Sequence, residues 1–272
     1  QAKLLGFENW CQISLSTKMA KDEQEVETLL EELRSAAMPY AKHELIQLLD
    51  CARRNGESNS FELAPWDISY FSEILRKEKY DLDKERLRSW FPLNQVLKGL
   101  FNLCKRLFEI TIEERNGEVP IWHEDVRFFN VKNKDGDKIA SFYLDPYSRP
   151  STKRGGAWMD ECLSRHKKDK DNVVIPVAYL VCNQTPPLLN KPSLMTFEEV
   201  ETLFHEFGHG LQHMLTIVDY PQASGINNIE WDAVELASQF MENWCLEDHT
   251  ISEISTHWKS KKSLPKEEIK KL

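Results

Sequence analysis

The period of the apolar positions changes near residue 115. Before it, apolar side chains recur at three and four. Val26, Leu29, Leu30 and Leu33 do so within residues 25–37, and Leu45, Leu48, Leu49 and Ala52 in the segment that follows, which predicts amphipathic helices. Pro39 and the polar run at residues 55–60 read as breaks between helices. Pro65 opens a further amphipathic stretch to about Lys79. Residues 93–112 then carry a long stripe through Val96, Leu97, Leu100, Leu103, Leu107 and Ile110.

From residue 119 to 183 the period falls toward two. Val126, Phe128 and Val131 precede a polar turn, and Ile139, Phe142 and Leu144 follow it, which predicts a β-hairpin. The turn Asn133-Lys134-Asp135-Gly136-Asp137 has the look of a calcium loop, but the Glu required six residues after the glycine is absent, because position 142 is Phe. A hairpin turn with Gly136 at positive φ is the better reading. A second β-rich run covers residues 173–182, and Pro176 within it favours an edge position.

Thr196-Phe197-Glu198-Glu199 fits a capping box and predicts a helix to about Leu215. At 100° per residue, Phe197, Val200, Leu203, Phe204, Phe207, Leu211, Met214 and Leu215 share one arc, while His205, Glu206 and His209 fall opposite. Residues 231–245 read as one amphipathic helix. Ala233, Val234, Leu236, Ala237, Phe240, Met241 and Trp244 line one side; Asp232, Glu235, Gln239 and Glu242 line the other. Pro265, followed by Glu267 and Glu268, suits the start of a last helix.

A chain of 272 residues is long enough to bury a core without disulfide or metal staples. With 35 Lys and Arg against 44 Asp and Glu the net charge is −9, so nucleic acid and anionic membranes are poor partners. No apolar run approaches the roughly 20 residues that span a bilayer. The six cysteines form no C-x-x-C pair and are widely spaced, which suits reduced thiols inside a cell. The same usage argues against glycosylation at the Asn183-Gln184-Thr185 sequon.

The polar arc contains His205-Glu206-Phe207-Gly208-His209, an H-E-x-x-H pattern. Histidines four apart on a helix lie about 6 Å apart along the axis and about 40° around it, so both imidazoles reach one zinc. Glu206 stands beside them as a base for water. His213 is about 12 Å along the axis from His205, too far to share the ion. The extended metzincin pattern fails at Gln212 and Leu215. A downstream carboxylate is then expected as the third ligand, and periodicity alone leaves the polar stripe of residues 231–245 either solvated or turned toward the metal.

The run from Thr202 to Leu215, with Gly225-Ile226 and the stretch from Glu230 to Trp244, resembles the thimet oligopeptidase family of zinc metallopeptidases, closest to its oligopeptidase A branch. Ser141 to Asp145, Lys153 to Asp160 and Pro176 to Leu180 match the same branch, and a weaker likeness reaches back to Leu5-Gly6-Phe7. The resemblance implies a mainly α, zincin-type (gluzincin) fold with a small β-sheet or hairpin region beside the active-site helix. It would comprise a helical scaffold over residues 1–115 and a zinc-binding catalytic part over residues 116–272. It implies one zinc ion held by His205, His209 and Glu235, with Glu206 as the base. The expected substrates are short unfolded peptides cut by an attacking water. Val177, Ala178, Tyr179 and Leu180 are the candidates for pairing with substrate backbone, and Asp232 and Glu242 for orienting the histidines. A monomer in the cytoplasm is expected, with an organelle matrix or stroma as the other compartment. Two departures stand out: Ala237 where the family usually has Pro, and the lack of the family's later segment, whose Tyr and His contact substrate. The chain therefore reads as a truncated piece of the enzyme. The alternative function is a zinc-binding protein impaired in catalysis.

Overall fold

In the computed structural model, which describes residues 1–81, 83–169 and 172–272, the chain divides into two units. Residues 1–83 and 266–272 form one; residues 84–265 form the other. The first unit is helical, with α1 (Trp10–Leu15), α2 (Glu23–Arg54) and α3 (Pro65–Tyr80). Asp22 caps α2 by accepting the Glu25 N–H at 2.9 Å. Contrary to the sequence reading, Pro39 does not interrupt α2, which runs 32 residues through it. Pro39 and Ser35 both face solvent, so the carbonyl that Pro39 cannot serve stays open to water. Leu48, Ala52 and Phe71 make the buried core of this unit, joined by Phe61, Leu63, Ile74 and Leu75.

The second unit begins with α4 (Lys84–Leu87) and α5 (Leu93–Phe108). Helix α5 stops earlier than its apolar stripe suggests. Glu109 adopts φ 54°, turning the chain so that Ile110 is buried and Thr111–Glu114 becomes strand β1. Strand content thus starts before residue 115. The division between units falls at Asp83/Lys84, because α5 packs with elements of the second unit.

Those elements include β2 (Arg127–Lys132), β3 (Lys138–Tyr147), β4 (Trp158–Leu163), β5 (His166–Lys167), β6 (Val173–Val174) and β7 (Val177–Gln184). The expected hairpin is β2–β3, and Gly136 at φ 89° makes its turn. The five-stranded sheet has the order β1-β2-β3-β7-β4. Strand β7 runs parallel to β3 and antiparallel to β4, so it is interior and not the edge that Pro176 suggested. Pro176 lies just ahead of β7, where its missing N–H costs no ladder bond and its carbonyl accepts the Ser141 N–H at 3.0 Å. The edge strands are β1 and β4.

Three helices complete the unit: α6 (Phe197–Met214), α7 (Leu236–Glu242) and α8 (Asp248–Ile254). The capping box forms as expected. Glu199 N–H donates to Thr196 Oγ1 at 3.1 Å, and Thr196 N–H to Glu199 Oε2 at 2.7 Å. An aromatic cluster locks α6 to the sheet and to α5. Phe129 stacks on Phe142 at 4.8 Å, Phe142 meets Phe207 edge-on at 5.5 Å, and Phe101 touches all three. The single helix expected over residues 231–245 is not formed. Residues 231–235 are turns, α7 starts at Leu236, and a 3-10 turn follows from Asn243 to Leu246. Leu236 and Phe240, assigned to its apolar side, are exposed, while Ser238 and Met241 are buried. The last short helix, α9 (Lys266–Ile269), belongs to the first unit. Among the described residues no helix is long and apolar enough to cross a membrane, and all six cysteines are free thiols.

Candidate metal centre

His205 and His209 stand one turn apart on α6, their rings 4.9 Å between centroids. The Nε2 atom of each meets the same oxygen of Glu235: Oε2 is 3.1 Å from His205 and 3.0 Å from His209. The three candidate donor atoms all lie within 4.8 Å of one another. Ligands around a tetrahedral zinc at about 2.1 Å are separated by about 3.4 Å, so two nitrogens and one carboxylate oxygen in this arrangement fit that ion.

Local sequence explains why they meet. The capping box sets the start and phase of α6, and Phe207 presses the helix onto the aromatic cluster, which leaves His205, Glu206 and His209 toward the cleft. Gly208 then lets α7 come close. A Cβ at position 208 would lie 2.6 Å from both the Ala237 carbonyl oxygen and Ser238 Cα. Glu235 occupies the N-cap position of α7, and the Ser238 hydroxyl lies 2.8 Å from its Oε2 and 2.9 Å from its carbonyl. The carboxylate is therefore pinned before any ion is considered.

The side chain of Glu242, at the other end of α7, meets His205 Nδ1 at 2.5 Å. With the proton on Nδ1 donated to this carboxylate, the Nε2 lone pair is left for a metal. His209 Nδ1 is buried with no hydrogen-bond partner among the described residues. Burial pushes the His209 imidazole below its usual range, against the opposing charge of Glu235 and with the help of His205, a shift that favours the neutral, ligating form. For Glu235, burial acts upward, but Ser238, His209 and His205 outweigh it and hold the carboxyl below the usual range. Burial lifts Glu206 to about 7, with His205 opposing and the charge of Glu235 reinforcing. A carboxylate poised there suits proton transfer near neutrality.

His205, Glu206, His209 and Glu235 line a cleft of about 640 Å³, whose other walls come from β4 and the loop at residues 226–229. The remaining sequence candidates fall elsewhere. Val177, Ala178, Tyr179 and Leu180 are paired on both sides, with β3 and with β4, so no further strand can add to them. Of the two edge strands of this sheet, β1 and β4, it is β4 that borders the cleft, with Trp158, Met159 and Asp160 in its wall. Asp232 is exposed in the turn ahead of α7 and outside the cleft lining. His213 is fully buried and points to Leu163, away from the three donors. The sequence reading missed β4 and Ser238. The glycine pair Gly155-Gly156 ahead of Trp158 was the available signal for β4, whereas nothing in the sequence marked Ser238.

Comparison with known proteins places these observations. The sequence matches Peptidase family M3 over residues 1–272. It is 52% identical to organellar oligopeptidase A, chloroplastic/mitochondrial, of Arabidopsis thaliana, and 51% identical to the probable cytosolic oligopeptidase A of the same plant. It is 48% identical to oligopeptidase A of Escherichia coli (strain K12). Each match covers 100% of this chain but only 35%, 39% and 39% of the respective relative.

Proposed function

The chain belongs to peptidase family M3, and from that premise we propose that the full-length protein is a zinc-dependent endopeptidase of the gluzincin kind that cleaves short unfolded peptides. The observation that carries this reading is the convergence of His205 Nε2, His209 Nε2 and Glu235 Oε2 in one cleft with the buried Glu206. Three protein ligands with an adjacent base suit a catalytic zinc site, since structural sites close with a fourth protein ligand. His205, His209 and Glu235 would hold the zinc ion, which would supply Lewis-acid polarisation of a carbonyl and acidification of a water.

The residues of the chain divide the remaining work. Glu206 takes the proton from the attacking water and passes it to the departing amine, a role matched to a carboxyl near 7. Glu242 holds His205 in the ligating tautomer, and Ser238 holds Glu235. The free edge of β4 receives the peptide backbone by strand addition, a mode that reads main chain and tolerates varied side chains. Residues 1–272 alone are read as able to bind zinc but poor in cleavage, since they span little more than a third of the length of the relatives and the resemblance puts donors to the carbonyl oxygen in a later segment. An intracellular compartment fits the free thiols, and the relatives bear both organellar and cytosolic names.

The test is to purify the full-length protein, determine zinc per chain by elemental analysis, and follow cleavage of a quenched peptide before and after chelation. One zinc per chain, loss of cleavage on chelation and its return with added zinc are expected. Undiminished cleavage by metal-free protein would overturn the proposal.

A further inference from the structure

Helix α6 carries a histidine that the metal centre does not use. His213 has 0% of its surface exposed; its Nε2 lies 2.9 Å from the Leu163 carbonyl at the end of β4, and its Nδ1 lies 3.5 Å from the Ile226 N–H. Gly225, at φ 66°, lies against the same ring: a Cβ there would sit 2.5 Å from Nδ1. The neutral tautomer with its proton on Nε2 satisfies both contacts, donating to Leu163 and accepting from Ile226. A second tie runs alongside. The Asn227 amide nitrogen is 2.7 Å from Glu161 Oε2, 2.9 Å from Ser164 Oγ and 3.0 Å from the Pro221 carbonyl. Two side chains thus bind the loop at residues 225–229 to β4, and one of them binds both to α6.

These ties fall where β4 most needs them. As an edge strand it has a ladder on one side only, and its register with β7 shifts between Glu161 and Leu163. Regular pairing is weakest where Asn227 holds Glu161 and His213 holds Leu163. Both tied elements are walls of the cleft, through Trp158 and Asp160 on one side and Ile226 and Asn227 on the other.

We infer that His213 and Asn227 are positioning residues that fix the separation of the two cleft walls, holding β4 in register to receive a peptide strand. This rests on the peptidase reading given above. The metal donors and Glu206 sit on α6 and at the start of α7, so loosening the bracket leaves the reacting groups in place. A peptide laid along β4 makes its backbone bonds equally in the ground state and the transition state. Weakening that uniform binding raises KM and spares kcat.

The experiment uses the full-length protein with Asn227→Ala, His213→Leu and His213→Gln, the last keeping an N–H close to the position of Nε2. Three quantities are read: zinc per chain, kcat and KM on a long quenched peptide, and amide exchange across residues 158–165. Expected are wild-type zinc content in all three and a KM raised about tenfold in Asn227→Ala and His213→Leu with kcat within about twofold. His213→Gln should recover most of the loss, and exchange of the β4 amides should rise in Asn227→Ala while that of α6 stays unchanged. A fall in kcat at constant KM, or unchanged β4 exchange in Asn227→Ala, would overturn the inference. The exchange measurement needs no turnover, so it judges the bracket even if the protein cleaves no peptide. Asn227→Ala decides the matter if His213→Leu does not fold.

Discussion

Gly208→Ala tests whether the close approach of α7 to α6 is what brings Glu235 to the two histidines. The new Cβ would stand 2.6 Å from the Ala237 carbonyl oxygen and 2.6 Å from Ser238 Cα, against an ordinary contact of 3.4 Å or more, leaving it about 0.8 Å short. Both obstacles are backbone, so no side-chain rotation relieves them and the start of α7 must shift. Glu235 shifts with it, because the Ser238 hydroxyl ties the carboxylate to this turn. Zinc–ligand distances tolerate only about 0.2 Å. Two effects oppose each other in the metal-free protein. Alanine is a better helix former than glycine by about 1 kcal/mol, while overpacking costs about 1–3 kcal/mol, so the melting temperature should fall or stay level. The metal site has no such offset. Disturbing the support of a ligand costs about ten- to a hundredfold in affinity, or about 1.4–2.8 kcal/mol. Competition against a chromophoric chelator reads the affinity, and circular dichroism melting reads the fold. A variant that binds zinc as tightly as wild type and melts higher would refute the reasoning, leaving helix propensity as the only effect of the change.

Other outcomes follow from the same geometry. Glu242→Ala removes the acceptor for His205 Nδ1 and should weaken zinc binding about ten- to a hundredfold; unchanged affinity would mean that the tautomer needs no support. Thr196→Ala removes a side chain of the capping box and should cost about 1 kcal/mol of stability while leaving zinc affinity within about twofold. Asp145 is buried against Arg149 at 2.6 Å, Lys153 at 3.0 Å and Trp122 Nε1 at 3.0 Å. Burial raises its pKa, but Arg149, Trp122 and Lys153 together outweigh it and hold the carboxyl below 3.8. Its stabilisation is therefore complete above the unfolded value near 4 and is lost as pH falls through the lower folded value. Asp145→Asn should destabilise at neutral pH by about 3 kcal/mol, because the buried charge partner of the half-buried Arg149 and Lys153 is removed. The gap from wild type should narrow in acid, and a gap constant with pH would contradict this account.

What could be read in advance tracks how local the determinants are. The capping box, the phase of α6 and the β2–β3 hairpin each depend on residues a few positions apart, and all three form as expected. The position of β7 depends on its neighbours across the sheet. Pro176 carried an edge signal only if it lay inside the strand; it lies just before Val177, and the parallel pairing with β3 spans the whole of β4. Strand β4 has little alternation, because an edge strand lining a cleft is exposed on much of both faces. The helix expected over residues 231–245 failed for a related reason. Periodicity assigned Leu236 and Phe240 to a buried side, but the face of α7 turned to α6 is set by Gly208 and Ser238, small residues that a hydrophobic pattern does not score. Glu235 lay outside such reasoning too, since a polar stripe looks the same whether it meets solvent or a metal.

Zinc content and turnover measured together on Glu206→Gln and Glu235→Gln of the full-length protein probe the proposed division of labour most directly. Glu206→Gln should keep close to one zinc per chain and lose at least about a hundredfold in cleavage of a quenched peptide, as expected when a positioned base is removed. Glu235→Gln should lose both the metal and the activity. Substantial turnover by Glu206→Gln, or wild-type zinc affinity in Glu235→Gln, would contradict the account.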